Sequence, residues 1–127
     1  MESQQPLKPV VFACAGCSYA GQIAYRLALE LDRRGVAEMS CLAGLGAEKP
    51  TFMKLAGKCP VWIIDGCPIE CGAGIAQKVK RPAMLHIRLH DFGIKKKLTL
   101  PDSVDYEALV DRVLELASAS EPDRLSA

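Results

Sequence analysis

"VVFACAGCSYAGQIAYRLALELDRRG", residues 10–35, passes from a short apolar run through a cysteine-bearing loop into an amphipathic stretch. The opening run has no polar alternation, which suits a β-strand covered on both faces rather than one half exposed to water. In the amphipathic part Tyr19, Ile23, Leu27 and Leu31 fall on one stripe at helical spacing. Ser18 supplies a capping oxygen at its start, Arg33 and Arg34 suit the negative end of the helix dipole, and Gly35 can end it. A buried strand joined to a helix by a few residues is half of a βαβ unit, so the flanking sequence should supply further strands of a parallel sheet.

Downstream, "AEMSCLA" (37–43) reads as the second strand, "GLGAEKP" as a glycine-bearing loop, "TFMKLAGK" as a short helix and "PVWIID" (60–65) as the third strand. Pro68 suits the first position of a third helix capped by Cys67, with Ile69, Ala73, Ala76 and Val79 on roughly one face, although Gly72 and Gly74 weaken it. "AMLHIRLHDF" (83–92) alternates Leu85, Ile87 and Leu89 against His86, Arg88 and His90, the pattern of a strand near a sheet edge. Tyr106, Leu109, Val110, Val113, Leu114 and Ala117 form the stripe of a last helix. This alternation predicts one α/β domain: a three-layer, Rossmann-like or flavodoxin-like structure. Its mostly parallel four-stranded sheet has the order 2-1-3-4 and helices on both faces. The predicted core runs from about residue 9 to 118, with 1–8 and 119–127 as flexible tails.

A chain of 127 residues can bury enough surface to fold without disulfide staples. Half the residues are apolar and the net charge is +1, so neither nucleic acid nor an anionic membrane is an expected partner. No apolar run approaches the roughly 18 residues of a membrane helix, and "MESQQPLKP" lacks the features of a secretory leader. The expected location is the cytoplasm. In that reducing compartment six cysteines point to metal ligation or redox chemistry rather than bridges.

Cys14, Cys41 and Cys67 each fall at or near the carboxyl end of a predicted strand, with Cys17 and Cys71 one turn further on. In an open parallel sheet the ligand crevice lies outside the carboxyl ends of the strands, here between strands one and three. Five thiols should therefore converge on one edge. Helix N-termini there should lower thiol pKa values and favour the thiolate, and Cys67 and Cys71 should share a helical face at positions i and i+4. Four thiolates suit tetrahedral zinc, which requires sulfurs within roughly 4 Å of one another. Cys59 precedes Pro60 at the opposite end of strand three and reads as a buried structural cysteine.

The combination of "CAGCS" (14–18), "CLAGLG" (41–46), "DGCP" (65–68) with Cys71, and "DFGIKKK" (91–97) resembles the DGC-domain proteins, over about residues 10–97. The resemblance implies a cytoplasmic bacterial or archaeal protein binding zinc through cysteines at the positions of Cys14, Cys41, Cys67 and Cys71, with Cys17 marking a CxGC subtype. It implies no defined biochemical role, and the protein partner is unknown.

Two other chemistries use the same residues. Cys14 and Cys17 could serve a thiol-disulfide or persulfide-handling enzyme, with Cys14 attacking and Cys17 resolving. Four thiolates also suit an iron–sulfur cluster. His86 and His90 read as solvent-facing or edge histidines rather than ligands. Asp65 reads as pairing with loop amides, with a supporting role toward a thiol as its functional alternative. Gly44 and Gly46 read as a turn, and "KKK" at 95–97 as a solvated loop.

Overall fold

The computed structural model describes residues 7–16 and 18–120. Strand β1 (Val10–Ala13) leads into α1 (Tyr19–Arg33), followed by β2 (Glu38–Ser40), α2 (Leu42–Gly46), α3 (Pro50–Lys58), β3 (Val61–Asp65), α4 (Cys71–Lys78), β4 (Leu85–Arg88) and α5 (Tyr106–Ser120). The four strands are all parallel, in the order β2-β1-β3-β4, so the predicted architecture and strand order are those observed.

The pleat sorts each strand between two cores. Val11, Trp62, Ile64, Leu85 and Ile87 face α1 and α5, whereas Val10, Phe12, Val61 and Ile63 face α2, α3 and α4. Helix α1 starts where Ser18 Oγ accepts the Gly21 N–H at 3.1 Å. It ends in a Schellman motif, with Val36 N–H donating to Leu31 O, Gly35 N–H donating to Asp32 O, and Gly35 at φ +74°. Ile23, Leu27 and Leu31 are fully buried, but Tyr19 is exposed and lies off the core stripe.

Three local expectations are corrected. Strand β2 stops at Ser40, because Cys41 caps a short helix where a glycine loop was expected. Helix α4 starts at Cys71 rather than Pro68; residues 66–70 turn first, with Glu70 left-handed at φ 56°. Strand β4 ends at Arg88, and Leu89–Phe92 form a 3-10 turn instead of continuing the alternation. β4 is nevertheless an edge strand, pairing with β3 alone. Of the predicted tails, residues 1–6 and 121–127 lie outside the described residues, while α5 reaches Ser120.

Candidate thiol and metal site

Asp65, Gly66 and Cys67 carry the chain from the sheet to its carboxyl edge, and each has a distinct physical task. Asp65 ends β3 on the same face as Val61 and Ile63, and only 1% of it is exposed. Its carboxylate accepts the Gly72 N–H at 2.7 Å and the Ala73 N–H at 3.0 Å, and lies 2.8 Å from His86 Nε2. A buried anion is thus held by donors at the start of α4, where the helix dipole favours negative charge, and by a histidine from the edge strand. Gly72 lets the helix come this close: a Cβ there would stand 2.7 Å from Ile63 Cγ2 and 2.8 Å from Asp65 Oδ1.

Gly66 lies against the backbone of α1, and a Cβ there would run into the Ala20 carbonyl. Backbone cannot yield as a side-chain tip does, so Gly66→Ala is expected to cost about 3 kcal/mol. Gly74, in the same segment, meets nothing within 4 Å. Gly74→Ala should instead stabilise by roughly 0.5–1 kcal/mol through helix propensity. Urea melts of the two variants should therefore move in opposite directions, and a neutral Gly66→Ala would refute the close approach.

Cys67 opens a turn closed by the Glu70 N–H donating to the Cys67 carbonyl at 3.1 Å. Glu70 reaches back to β4 and beyond, with Oε2 3.2 Å from Arg88 Nε and 3.5 Å from His90 Nε2. Cys71 is the first residue of α4 and is exposed. Cys67 and Cys71 are therefore juxtaposed by a turn and a left-handed residue, not by sharing a helical face.

Cys14 follows β1, its N–H donating to Ile64 O at 3.1 Å, and its thiol is half-buried. Burial pushes that thiol's pKa up; a hydrogen bond from the Gly16 backbone opposes the shift, and the charges of Cys71, Asp65 and Cys67 add to it. The lowering expected from a helix N-terminus does not govern Cys14, because desolvation and neighbouring negative groups outweigh it. Exposed Cys41 caps α2, its Sγ accepting the Gly44 N–H at 3.3 Å.

These thiols line two adjoining recesses. Cys14, Cys67 and Cys71 border a space of about 100 Å³ that also touches Gly66 and Lys96. Cys14, Cys41 and Cys71 line a cleft of about 740 Å³ over the ends of β1 and β2. Cys14 and Cys71 belong to both, so the larger of the two recesses lies to the β2 side of the predicted crevice between β1 and β3. Among the described residues, no three cysteine, histidine, aspartate or glutamate side chains are grouped closely enough to hold a metal ion as they stand. Cys17 lies outside the described residues. Cys59 caps the end of α3 and packs against the core between β1, β3 and α2–α4, away from this edge.

Of the two histidines, read as solvent-facing or edge residues, His86 does stand on the edge strand β4, but both make contacts inside the fold. His86 is engaged with Asp65, and His90 faces Glu70 with its Nδ1 buried and, among the described residues, without a hydrogen-bond partner. The alternation of β4 does put His86 on one side of the strand. Its pairing with Asp65 depends on the β3–β4 register, Ile63 opposite His86, which no local pattern displays.

A family model described as the DGC domain matches residues 10–113, a range that includes all four strands and Cys14, Cys17, Cys41, Cys67 and Cys71. The chain belongs to the DGC-domain family. This DGC domain is also similar to the anaerobic and virulence modulator AnvM of Pseudomonas aeruginosa, 43% identical over 91 residues, covering 70% of this chain and 69% of that protein. No solved structure matches the chain. Among the described residues of the DGC domain, no helix is long and apolar enough to cross a membrane.

Proposed function

We propose that this DGC domain is a cytoplasmic zinc-binding protein that holds its metal at the carboxyl edge of the sheet. Cys14, Cys41, Cys67 and Cys71 would be the ligands, with Cys17 as an additional or alternative thiolate. The observation that carries this reading is the electrostatic setting of Cys14. Burial pushes the pKa of its half-buried thiol up and the charges of Cys71, Asp65 and Cys67 add to the shift, so negative charge on Cys14 is opposed by its surroundings. A divalent cation is the partner that makes several thiolates compatible in such a place. A thiolate-rich donor set suits zinc, and the five described cysteines form no disulfide. Loading would draw the sulfurs together from their present positions; Cys41 and Cys71 are exposed, and Cys67 sits in a turn.

When bound, zinc would supply a structural clamp or a Lewis-acidic centre. The name of the similar Pseudomonas protein, a modulator, fits a regulatory role better than a catalytic one.

Anaerobic purification followed by elemental analysis and an absorption spectrum tests the proposal. Near-stoichiometric, colourless zinc is expected. Visible absorption with bound iron would assign a cluster instead, and metal-free protein that rapidly forms a Cys14–Cys17 disulfide would assign redox chemistry. Cys67→Ser should lower bound metal sharply and Cys59→Ser barely; equal losses would contradict the proposed site.

A further inference from the structure

The cleft over β1 and β2 has a chemistry that metal ligation does not use. Its volume of about 740 Å³ falls in the range of small-molecule sites. Phe52 and Tyr25 contribute rings to its lining, Met39 a thioether, and Leu42 and Ile75 aliphatic surface. Two of these walls are set by glycines of α2. The Phe52 ring lies so close to Gly44 that any Cβ there would strike it, and a Cβ at Gly46 would stand 3.3 Å from Ile75 Cδ1. Helix α2 is thus wedged between the side chains of α3 and α4, holding both at the cleft. Ser40 and Tyr25 add hydroxyls to this mainly apolar surface, and Cys14, Cys41 and Cys71, the proposed zinc ligands, add thiols along it.

Aromatic rings and a thioether favour a flat π-system, through offset or edge contacts with the rings and sulfur–aromatic contact with methionine. Water against such walls forgoes hydrogen bonds, and its release on binding is favourable. Among the lining residues there is no lysine, arginine, aspartate or glutamate to recognise a charged ligand. The cleft also opens at the carboxyl ends of parallel strands, where open α/β sheets place their ligands.

We propose that this cleft binds an uncharged, flat aromatic molecule of two to three rings with one hydrogen-bonding substituent. The inference goes beyond metal binding and does not require it, since Phe52, Tyr25, Met39 and Ile75 do the recognising.

The test is titration of the isotopically labelled full chain with 2-naphthol, followed by amide NMR shifts. Saturable shifts are expected at Ser40, Ala43, Phe52 and Ile75, with Cys59 at the opposite end unmoved. Naphthalene-2-sulfonate and cyclohexanol should bind more weakly, the first for its charge and the second for its lack of a π-face. Ile75→Glu should weaken 2-naphthol binding at least about tenfold by placing a carboxylate in an apolar wall. Ala43→Glu, at an exposed lining position, should do the same if Ile75→Glu disturbs folding. The proposal is overturned if those amides show no saturable shift up to the solubility limit, if shifts centre on exposed Leu98 and Leu100, or if the folded glutamate variants bind as the parent does. Because Cys14, Cys41 and Cys71 line this cleft, the titration is run on zinc-loaded and on chelator-stripped protein: no saturable shift in either overturns this proposal, whereas elemental analysis of the protein as purified decides the zinc reading alone.

Discussion

Asp65→Ala is expected to cost the DGC domain about 3 kcal/mol of folding stability, from loss of the acceptor for two N–H groups at the buried start of α4. For a chain of this size that corresponds to a fall in melting temperature of about 10 °C. The loss is large because the carboxylate is 1% exposed and water cannot take its place. It should also be local at first: faster hydrogen exchange at Gly72 and Ala73, and loosening of the turn that carries Cys67 and Cys71. Asp65→Asn separates geometry from charge. An amide keeps one accepting oxygen but turns an NH₂ toward a second N–H donor, so Asn should recover only part of the loss. An Asn variant as stable as the parent would show that neither the second acceptor nor the negative charge at the helix start matters. Equal exchange at Gly72 in all three proteins would show that the Asp65 bond does not hold α4.

The sheet was legible because its determinants are local. Uninterrupted apolar runs at 10–13 and 61–64, a capped stripe from Ser18 to Gly35 and alternation at Leu85 and Ile87 are each visible within a few residues. Their sequence then limits a right-handed parallel sheet to few orders. The cysteines' place at one edge followed from the same logic, since Cys14, Cys41 and Cys67 each come just after a strand. What was not legible depends on contacts between distant segments. Glu70 adopts a left-handed backbone that non-glycine residues seldom take, so the delayed start of α4 had no local sign. Helix α2 replaces a glycine loop because Gly44 and Gly46 make room for Phe52 and Ile75, side chains from other helices. His86 finds Asp65 only through strand register. For Cys14, helix-terminal electrostatics suggested a lowered pKa, whereas burial and neighbouring thiols, which exist only in the fold, raise it.

Cys14→Ser is expected to weaken zinc binding about 100-fold or more. Thiolate-rich zinc sites are worth roughly 10–16 kcal/mol, and an equal share among four ligands is about 3 kcal/mol. Cys14 should matter more than Cys41 or Cys67, because it borders both recesses while each of those borders one. Competition with a chromophoric chelator would read the affinity, and urea melts of the metal-free proteins should differ by only about 1 kcal/mol, since serine nearly matches the lost thiol in shape. The pH dependence supplies a second signature. The folded Cys14 pKa is raised, so its thiol must surrender a proton to the metal at pH values where an ordinary thiol has already lost it. Zinc affinity should therefore keep climbing with pH above the usual thiol range of about 8.5, and Cys14→Ser should flatten that upper limb by about one proton. For the metal-free fold the sign is opposite: the stability associated with a raised thiol pKa is fully present below the unfolded value and is lost as pH rises from there through the raised folded value. Affinity that rises with pH while metal-free stability falls, with both trends reduced in the serine variant, would identify Cys14 as the common ligand. Unchanged zinc affinity in Cys14→Ser would remove it from the site.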